Sequence, residues 1–323
     1  MTRGLIIGKF MPIHKGHLAL IEFASTRCDN LIVSLSYTPL DPIPGALRMR
    51  WLETSIASLS NVAAFMVLDD FDNESLPLEP RTAIWSDFIK RTYPKIDVVF
   101  SSESYGQPFA NHLEARHISF DPARKHVPVS ATMIRNKPLT YWDSIADAAR
   151  PYFVKKICIY GPESTGKSTL TQRLAEHYGT SFVPEVAREM LITNDFTVDD
   201  IIAIGNAHEE RINKQLLTAN RFLFCDTDVI TTKIYSDHYL GVVPEELNDM
   251  ELRTTYALYF LLDTDVPWVS DGLRDLGDRR EEMMLRFKLE LEGRGIPYIL
   301  VCGNFDARER MMVKAIDELL SHY

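Results

Sequence analysis

Residues 161–169 read Gly-Pro-Glu-Ser-Thr-Gly-Lys-Ser-Thr and satisfy the pattern Gly-x-x-x-x-Gly-Lys-[Ser/Thr] with Gly161, Gly166, Lys167 and Ser168. A loop of this kind needs a buried strand leading in and a helix leading out, because its backbone N–H groups must converge on phosphate oxygens. Both neighbours are legible: "KKICIY" at 155–160 is a short apolar run, and "STLTQRLAEHY" after the loop is helical. The loop therefore predicts a parallel α/β sheet that starts near residue 155. Such a loop normally follows the first strand of its domain, so the 160 residues in front of it need their own explanation.

Those residues carry the same alternation. Apolar runs at 4–8, 31–36, 63–68 and 97–102 are separated by longer amphipathic stretches such as "KGHLALIEFAS", which predicts parallel βαβ units. After the loop, runs at 221–226, 256–262 and 297–302 continue a second strand series, with helices over 199–221 and 279–295. The pattern restarts after "TYWDSIADAARPYF", where Pro151 interrupts or begins a helix. The reading is two tandem α/β domains, 1–150 and 151–323, each with a parallel sheet and each long enough for its own core.

Composition narrows the class of protein. With 46% hydrophobic and 25% charged residues the chain is expected to be an ordinary soluble protein. A formal net charge of −10 disfavours a surface built to coat nucleic acid or anionic membrane. Nowhere do eighteen uncharged apolar residues follow one another, so no membrane span is expected. Cys28, Cys158, Cys225 and Cys302 are scattered without a Cys-x-x-Cys pair, as in a reduced, cytoplasmic protein. The N-terminus runs almost directly into the first strand without an apolar leader, so mature sequence is expected from the first residue.

"GKFMPIHKGH" at 8–17 follows the first strand, where open α/β sheets place their ligands. His14 and His17 stand three apart, which points both imidazoles the same way on a first helical turn, and Gly16 leaves space beside the backbone. The helix N-terminus adds partial positive charge for phosphate. A His-x-x-His pair alone is an ordinary surface feature; the whole pattern is more specific. "VSATMIR" at 129–135 offers the hydroxyls of Ser130 and Thr132 and the cation Arg135, and equally reads as a helix N-cap.

In the second half, the loop from Gly161 through Glu163, Ser164, Thr165, Gly166, Lys167, Ser168 and Thr169 is expected to hold ATP. Lys167 would bridge the β- and γ-phosphates and Ser168 would ligate magnesium. "FLFCDTD" places Asp226 and Asp228 at a strand end, where a carboxylate can hold the magnesium shell or take a proton from a hydroxyl. "DGLRDLGDRR" at 271–280 reads either as a mobile lid delivering Arg274, with Arg279 and Arg280 beside it, or as a charged loop and helix start. "PEVARE" offers Glu185 and Arg188, as substrate contacts or as a helix-terminal ion pair. His208, near the apolar stripe of the 199–221 helix, is read as packing.

The first pattern resembles the Gly-x-Phe-x-Pro-x-His-x-Gly-His signature of the nucleotidyltransferase superfamily, with Gly8, Phe10, Pro12, His14, Gly16 and His17 all in place. "VSATMIR" resembles its second signature, with Val129 for Ile and Ala131 where one subset has serine. The resemblance implies in-line attack of a substrate phosphate on the α-phosphorus of ATP. His14 and His17 would steady that phosphate, while Lys15 and Arg135 would hold the β- and γ-phosphates, with Gly8, Phe10, Ser130 and Thr132 completing the ATP site. The tandem of this signature with a phosphate-loop kinase resembles the bifunctional nicotinamide mononucleotide (NMN) adenylyltransferase/ribosylnicotinamide kinases of the NadR type.

That resemblance covers essentially the whole chain. It implies a C-terminal domain that phosphorylates nicotinamide riboside and an N-terminal domain that adenylylates NMN to NAD, with ATP and Mg2+ at both steps. By resemblance Trp85 becomes the candidate surface for the nicotinamide ring, though it reads equally as a buried core tryptophan, and Glu185, Arg188 and Asp228 are the candidate riboside contacts. Some members carry an additional N-terminal helix-turn-helix; here the first strand begins near residue 4, and DNA binding is not expected. Self-association is compatible with the sequence but not specified by it. Two other readings stay open: a sensor of NAD or ATP with little turnover, and a kinase fused to a nucleotidyltransferase for another phosphate acceptor.

Overall fold

A computed structural model describes residues 1–193, 195–269 and 275–322. Their contacts divide the chain into two units, Met1–Arg150 and Pro151–His322. The first holds β1 (Arg3–Gly8), β2 (Asn30–Tyr37), β3 (Val62–Leu68), β4 (Val98–Ser101) and β5 (Arg116–Ser119) in the order β3-β2-β1-β4-β5. Every neighbouring pair is parallel.

Burial follows position in the sheet. Leu5 and Ile6 of β1 and all four residues of β4 are buried, whereas the edge strand β3 exposes Phe65, Met66 and Leu68. The helix Lys15–Ser25 turns Leu20, Ile21 and Ala24 inward, and Leu78–Thr92 and Gly106–His112 bring Ile89 and Phe109 onto Leu5, Ile32 and Val99. Each of the leucine, isoleucine, valine and phenylalanine side chains contributes about 1.5–3 kcal/mol on burial. Because β1 lies between β2 and β4, its connections leave toward opposite sides, and a crevice opens at the carboxyl ends of β1 and β4.

The second unit is built from β6 (Lys155–Tyr160), β7 (Phe182–Val183), β8 (Phe222–Asp226), β9 (Leu258–Leu262) and β10 (Ile299–Val301), again all parallel, in the order β10-β9-β6-β8-β7. β6 is central and delivers the chain into the 161–169 loop, and the helix Lys167–Tyr178 leaves it. The helix Val198–Leu216 starts with a reciprocal cap: the Asp200 N–H donates to Thr197 Oγ1 at 3.3 Å and the Thr197 N–H to Asp200 Oδ2 at 2.8 Å. Ile201, Ile204, His208 and Ile212 form its buried stripe. It ends five residues before the predicted limit, because 217–221 must turn into β8.

The strands expected from sequence are present within one or two residues of their expected ends. β5, in "RHIS", escaped the apolar-run criterion: it is a four-residue strand with no fully buried member. All four cysteines are free thiols. No helix among the described residues is long and apolar enough to cross a membrane.

Candidate active sites

The first site begins where β1 stops. Gly8 ends the strand, Phe10 takes a left-handed conformation (φ 46°) and is buried, and the Met11–Pro12 bond is cis. His14 then caps the helix Lys15–Ser25, its Nδ1 accepting the Gly16 N–H at 3.1 Å. With Nδ1 committed as acceptor, a neutral His14 must carry its proton on Nε2. The His17 ring stacks on His14 with centroids 3.7 Å apart, and the Phe10 ring centroid lies 4.9 Å from that of His17. The space beside Gly16 is filled by the His14 ring, which a Cβ there would meet at 3.0 Å.

Burial lowers the His14 pKa to about 4, with the Arg124 charge acting in the same sense. His17 is held well below its ordinary value by burial, by His14 and by Arg124. At neutral pH the pair is therefore two uncharged imidazoles, and His17 Nδ1 is enclosed without a partner.

These residues line a cavity of about 300 Å³ with Gly8, Ser130 and Thr132. Ser130 is both things the sequence allowed: it lines the cavity, and its Oγ accepts the Met133 N–H at 3.2 Å as cap of the helix Ala131–Asn136. Two expected phosphate ligands are placed elsewhere. Lys15 is exposed and forms no part of the cavity wall; Arg135 donates to Met11 O and, at 3.1 Å, to Thr132 Oγ1, joining the two signature segments. The cation that does line the cavity is Arg124, which sequence reasoning missed because it lies between the two signatures.

A second cavity of about 160 Å³ shares Ile7, Gly8 and Tyr105 with the first. Trp85 lines it beside Phe71 and Phe88, whose rings stack 4.3 Å apart. The Trp85 Nε1–H donates to Asp72 at 2.9 Å, and Asp72 also pairs with Arg81. The indole thus keeps one face on the core, edge-on to Tyr105 and Phe109, while contributing to the cavity.

In the second unit the loop has the geometry its pattern requires. Gly166 has φ 87°, and a Cβ there would come within 2.6 Å of the Phe305 ring, so only glycine fits. Lys167 is buried and donates from Nζ to Pro162 O at 2.9 Å, holding its ammonium within the loop. Ser164, also left-handed, accepts the Val269 N–H at 2.8 Å through Oγ, and Thr165 donates to Pro162 O at 2.9 Å. Ser168 and Thr169 open the helix with exposed side chains. From outside the pattern, fully buried Arg308 donates to Thr165 O at 2.7 Å and braces the loop from below.

The two aspartates after β8 have different surroundings. Asp226 accepts from the Ser168 hydroxyl, keeps a buried Oδ1 without a partner, and has its pKa raised to about 6 by burial and then by Glu185. Asp228 is instead a structural cap. Its Oδ1 accepts from the Thr231 N–H at 3.0 Å and hydroxyl at 3.1 Å, while Oδ2 accepts from the Tyr259 hydroxyl at 2.9 Å. Both oxygens are used and the residue is absent from the cavity wall, which corrects the expectation of a substrate contact.

That cavity, of about 90 Å³, is lined by Glu163, Glu185, Arg188, Tyr235 and Tyr239, with Phe196 and His208 also present. Glu185 and Arg188 pair at 2.6 Å, so they form the helix-terminal ion pair and line the cavity at once. Glu163, expected among the ATP ligands, turns its carboxyl into this wall; burial raises its pKa to about 7, opposed by Lys167. Tyr235 and Tyr239 were not singled out from sequence, although their i, i+4 spacing after the DTD segment was a usable signal. Arg274 lies outside the described residues. Arg279 pairs with Glu282 at the start of the helix Arg280–Gly293, as the plainer reading held, and Arg280 donates to Val266 O at 2.9 Å.

A family model described as an AAA domain matches residues 156–308. The trifunctional NAD biosynthesis/regulator protein NadR of Escherichia coli is 29% identical over 99% of this chain and 83% of its own length. The nicotinamide-nucleotide adenylyltransferase of Pyrococcus furiosus is 28% identical over 49% of this chain and 85% of its own. Among solved structures, a NadR protein in complex with NR superposes with a TM-score of 0.79 at 20% identity, covering 98% of this chain and 95% of that one. With a nucleotidyltransferase signature ahead of a phosphate loop and a match that runs along 99% of its length, this chain resembles NadR-type proteins from end to end.

Proposed function

We propose that the chain is a bifunctional enzyme of NAD salvage: the 151–323 domain phosphorylates nicotinamide riboside with ATP, and the 1–150 domain adenylylates the resulting NMN to NAD. The observation that carries this reading is the chemical contrast between the two sites. A buried carboxylate with a raised pKa stands at the phosphate loop, where a hydroxyl must be deprotonated. At the first site the acceptor is already an ionised phosphate, and the wall offers neutral imidazoles, while its carboxylates are engaged, Glu103 by Arg124 and Asp121 by three backbone N–H groups.

In the kinase domain the loop N–H groups and Lys167 hold the β- and γ-phosphates, and Asp226 takes the proton of the attacking riboside hydroxyl. Ser168 Oγ and the unpartnered Asp226 Oδ1 fit a magnesium ion, which needs few protein ligands when phosphate oxygens supply the rest. Held there, the ion would supply positive charge to neutralise the transferring group. Glu163, Glu185 and Arg188 face the riboside, with Tyr235 and Tyr239 against its ring. Arg274 remains the candidate for a lid cation.

In the adenylyltransferase domain the NMN phosphate oxygen attacks the α-phosphorus of ATP. His14 and His17 donate to the α-phosphate from Nε2, the helix N-terminus adds its dipole, and Ser130 and Thr132 bind the remaining phosphates with Gly8 and Phe10 alongside. The smaller cavity takes the nicotinamide ring, with Trp85 as its aromatic wall. The cytoplasm, where both substrates and reduced thiols are found, is the compartment this implies.

Incubating the chain with nicotinamide riboside, ATP and Mg2+ tests the reading. NMN is expected to appear first and NAD after a lag, with pyrophosphate matching NAD. No NMN from riboside would refute the kinase half, and no NAD from supplied NMN the other half.

A further inference from the structure

The first cavity must hold a polyphosphate, yet Lys15 and Arg135 stand outside its wall and both histidines are neutral. Arg124 lines it together with His14, His17, Ser130 and Thr132. Its guanidinium pairs at 2.6 Å with Glu103, another lining residue, just beyond the end of β4. Both side chains are half-exposed, and such a pair is worth about 1 kcal/mol or less. A triphosphate, with several negative charges and bidentate geometry to offer, outcompetes one carboxylate for a guanidinium.

The loop that carries Arg124 is preset. Asp121 (φ 41°) and Arg124 (φ 49°) are non-glycine residues in the left-handed region, each costing about 1–2 kcal/mol. The Asp121 carboxylate repays this by accepting three successive backbone N–H groups, from Lys125 at 2.7 Å, His126 at 2.9 Å and Val127 at 3.4 Å. The Arg124 N–H donates to Asp121 O at 2.9 Å. Strain held in place by a dedicated side chain fixes where Arg124 projects.

We propose that Arg124 is a catalytic residue of the adenylyl-transfer site: it leaves Glu103 to grip the β- and γ-phosphates and then carries the charge that builds on departing pyrophosphate. Glu103 is the counter-ion that the triphosphate displaces, and Asp121 positions the loop. In the step served, an acceptor phosphate oxygen bonds to the α-phosphorus, the bond from that phosphorus to the bridging oxygen breaks, and its electron pair leaves with pyrophosphate. No proton passes through Arg124. The inference rests on the adenylyl-transfer reading and adds a residue to it.

The test uses the full chain, with NMN saturating and ATP varied, for the parent, Arg124→Ala, Arg124→Lys, Glu103→Gln and the Glu103→Gln/Arg124→Ala double variant. Arg124→Ala is expected to lower kcat/KM for ATP about 100-fold. Arg124→Lys recovers part of this, because a point charge replaces a fork. Glu103→Gln is expected to lower KM for ATP about threefold by removing the competitor, and that gain disappears in the double variant. A purely structural ion pair would give no gain from Glu103→Gln. A kcat/KM for ATP within threefold of the parent in Arg124→Ala would overturn the inference while leaving the adenylyl-transfer reading intact. Should the parent make no NAD from NMN and ATP, that reading fails. Calorimetric titration of inorganic pyrophosphate into the Lys167→Ala chain, with and without Arg124→Ala, then decides the inference: affinity lost with Arg124 supports it, and unchanged affinity overturns it.

Discussion

Both units place their candidate phosphate site at the carboxyl end of a central parallel strand, and they manage charge in different ways. The first lines its cavity mainly with neutral donors, two stacked imidazoles, a helix N-terminus and hydroxyls, and its charged groups are already matched: Arg124 by Glu103, and Asp121 by backbone N–H groups. The second concentrates charge, with a buried lysine, buried Asp226, and the Glu163, Glu185 and Arg188 wall. The protonation state of the nucleophile accounts for the difference. An ionised phosphate needs no base and is repelled by carboxylates, whereas a sugar hydroxyl needs one close by. In the proposed reading a buried carboxylate supplies it, since desolvation raises its pKa toward neutrality.

The contrast can be broken first at the aspartates. Asp226→Asn should lower phosphoryl transfer to the riboside about 1,000-fold with adenylyl transfer unchanged, read by single-substrate assays of each half-reaction. Asp228→Ala should act on stability instead. It removes a helix cap and leaves the Tyr259 hydroxyl unpaired, at a cost of about 2–4 kcal/mol. A melt should show the second unit weakened, with KM for riboside little changed. If the two variants have interchangeable effects, the separation of roles is wrong.

A smaller effect divides the units by pH. His14 is lowered from 6.5 to about 4, so between those values the unfolded chain binds a proton that the native site refuses, and stability falls as pH falls. Between pH 7 and 5 this amounts to about 2 kcal/mol for His14, and His17 adds in the same sense. Asp226 and Asp228 are raised from 3.8 to about 6, so the native state binds the extra protons and stability rises as pH falls through that value, by about 1 kcal/mol each. His208, lowered to about 4 by burial, opposes part of this gain. Calorimetry at pH 7 and pH 5 should find the first unit's transition moving down further than the second's; equal shifts would contradict the electrostatic contrast.

Legibility from sequence followed the same division. Strand runs, the domain restart and both nucleotide motifs could be read because local periodicity and short spacings encode them. β5 could not, since an edge strand of four half-exposed residues leaves no apolar run. The positions of His14, His17, Lys167 and Asp226 were legible because they depend on strand ends and helix starts. Lys15 and Arg135 are phosphate ligands by resemblance to the two signatures, and the fold sends one to solvent and turns the other to Met11 and Thr132. Asp228 was indistinguishable from Asp226 until Thr231 and Tyr259 were seen to occupy both its oxygens. Arg124 depends on a left-handed turn that no spacing rule announces.

The central claim is that two independent sites act in sequence on one substrate. His17→Ala and Lys167→Ala, assayed separately for adenylyl transfer to NMN and phosphoryl transfer to nicotinamide riboside, test it most directly. The account predicts a crossed result: His17→Ala loses at least 100-fold in adenylyl transfer and keeps the kinase reaction, and Lys167→Ala does the converse. Loss of both activities from either substitution would contradict it.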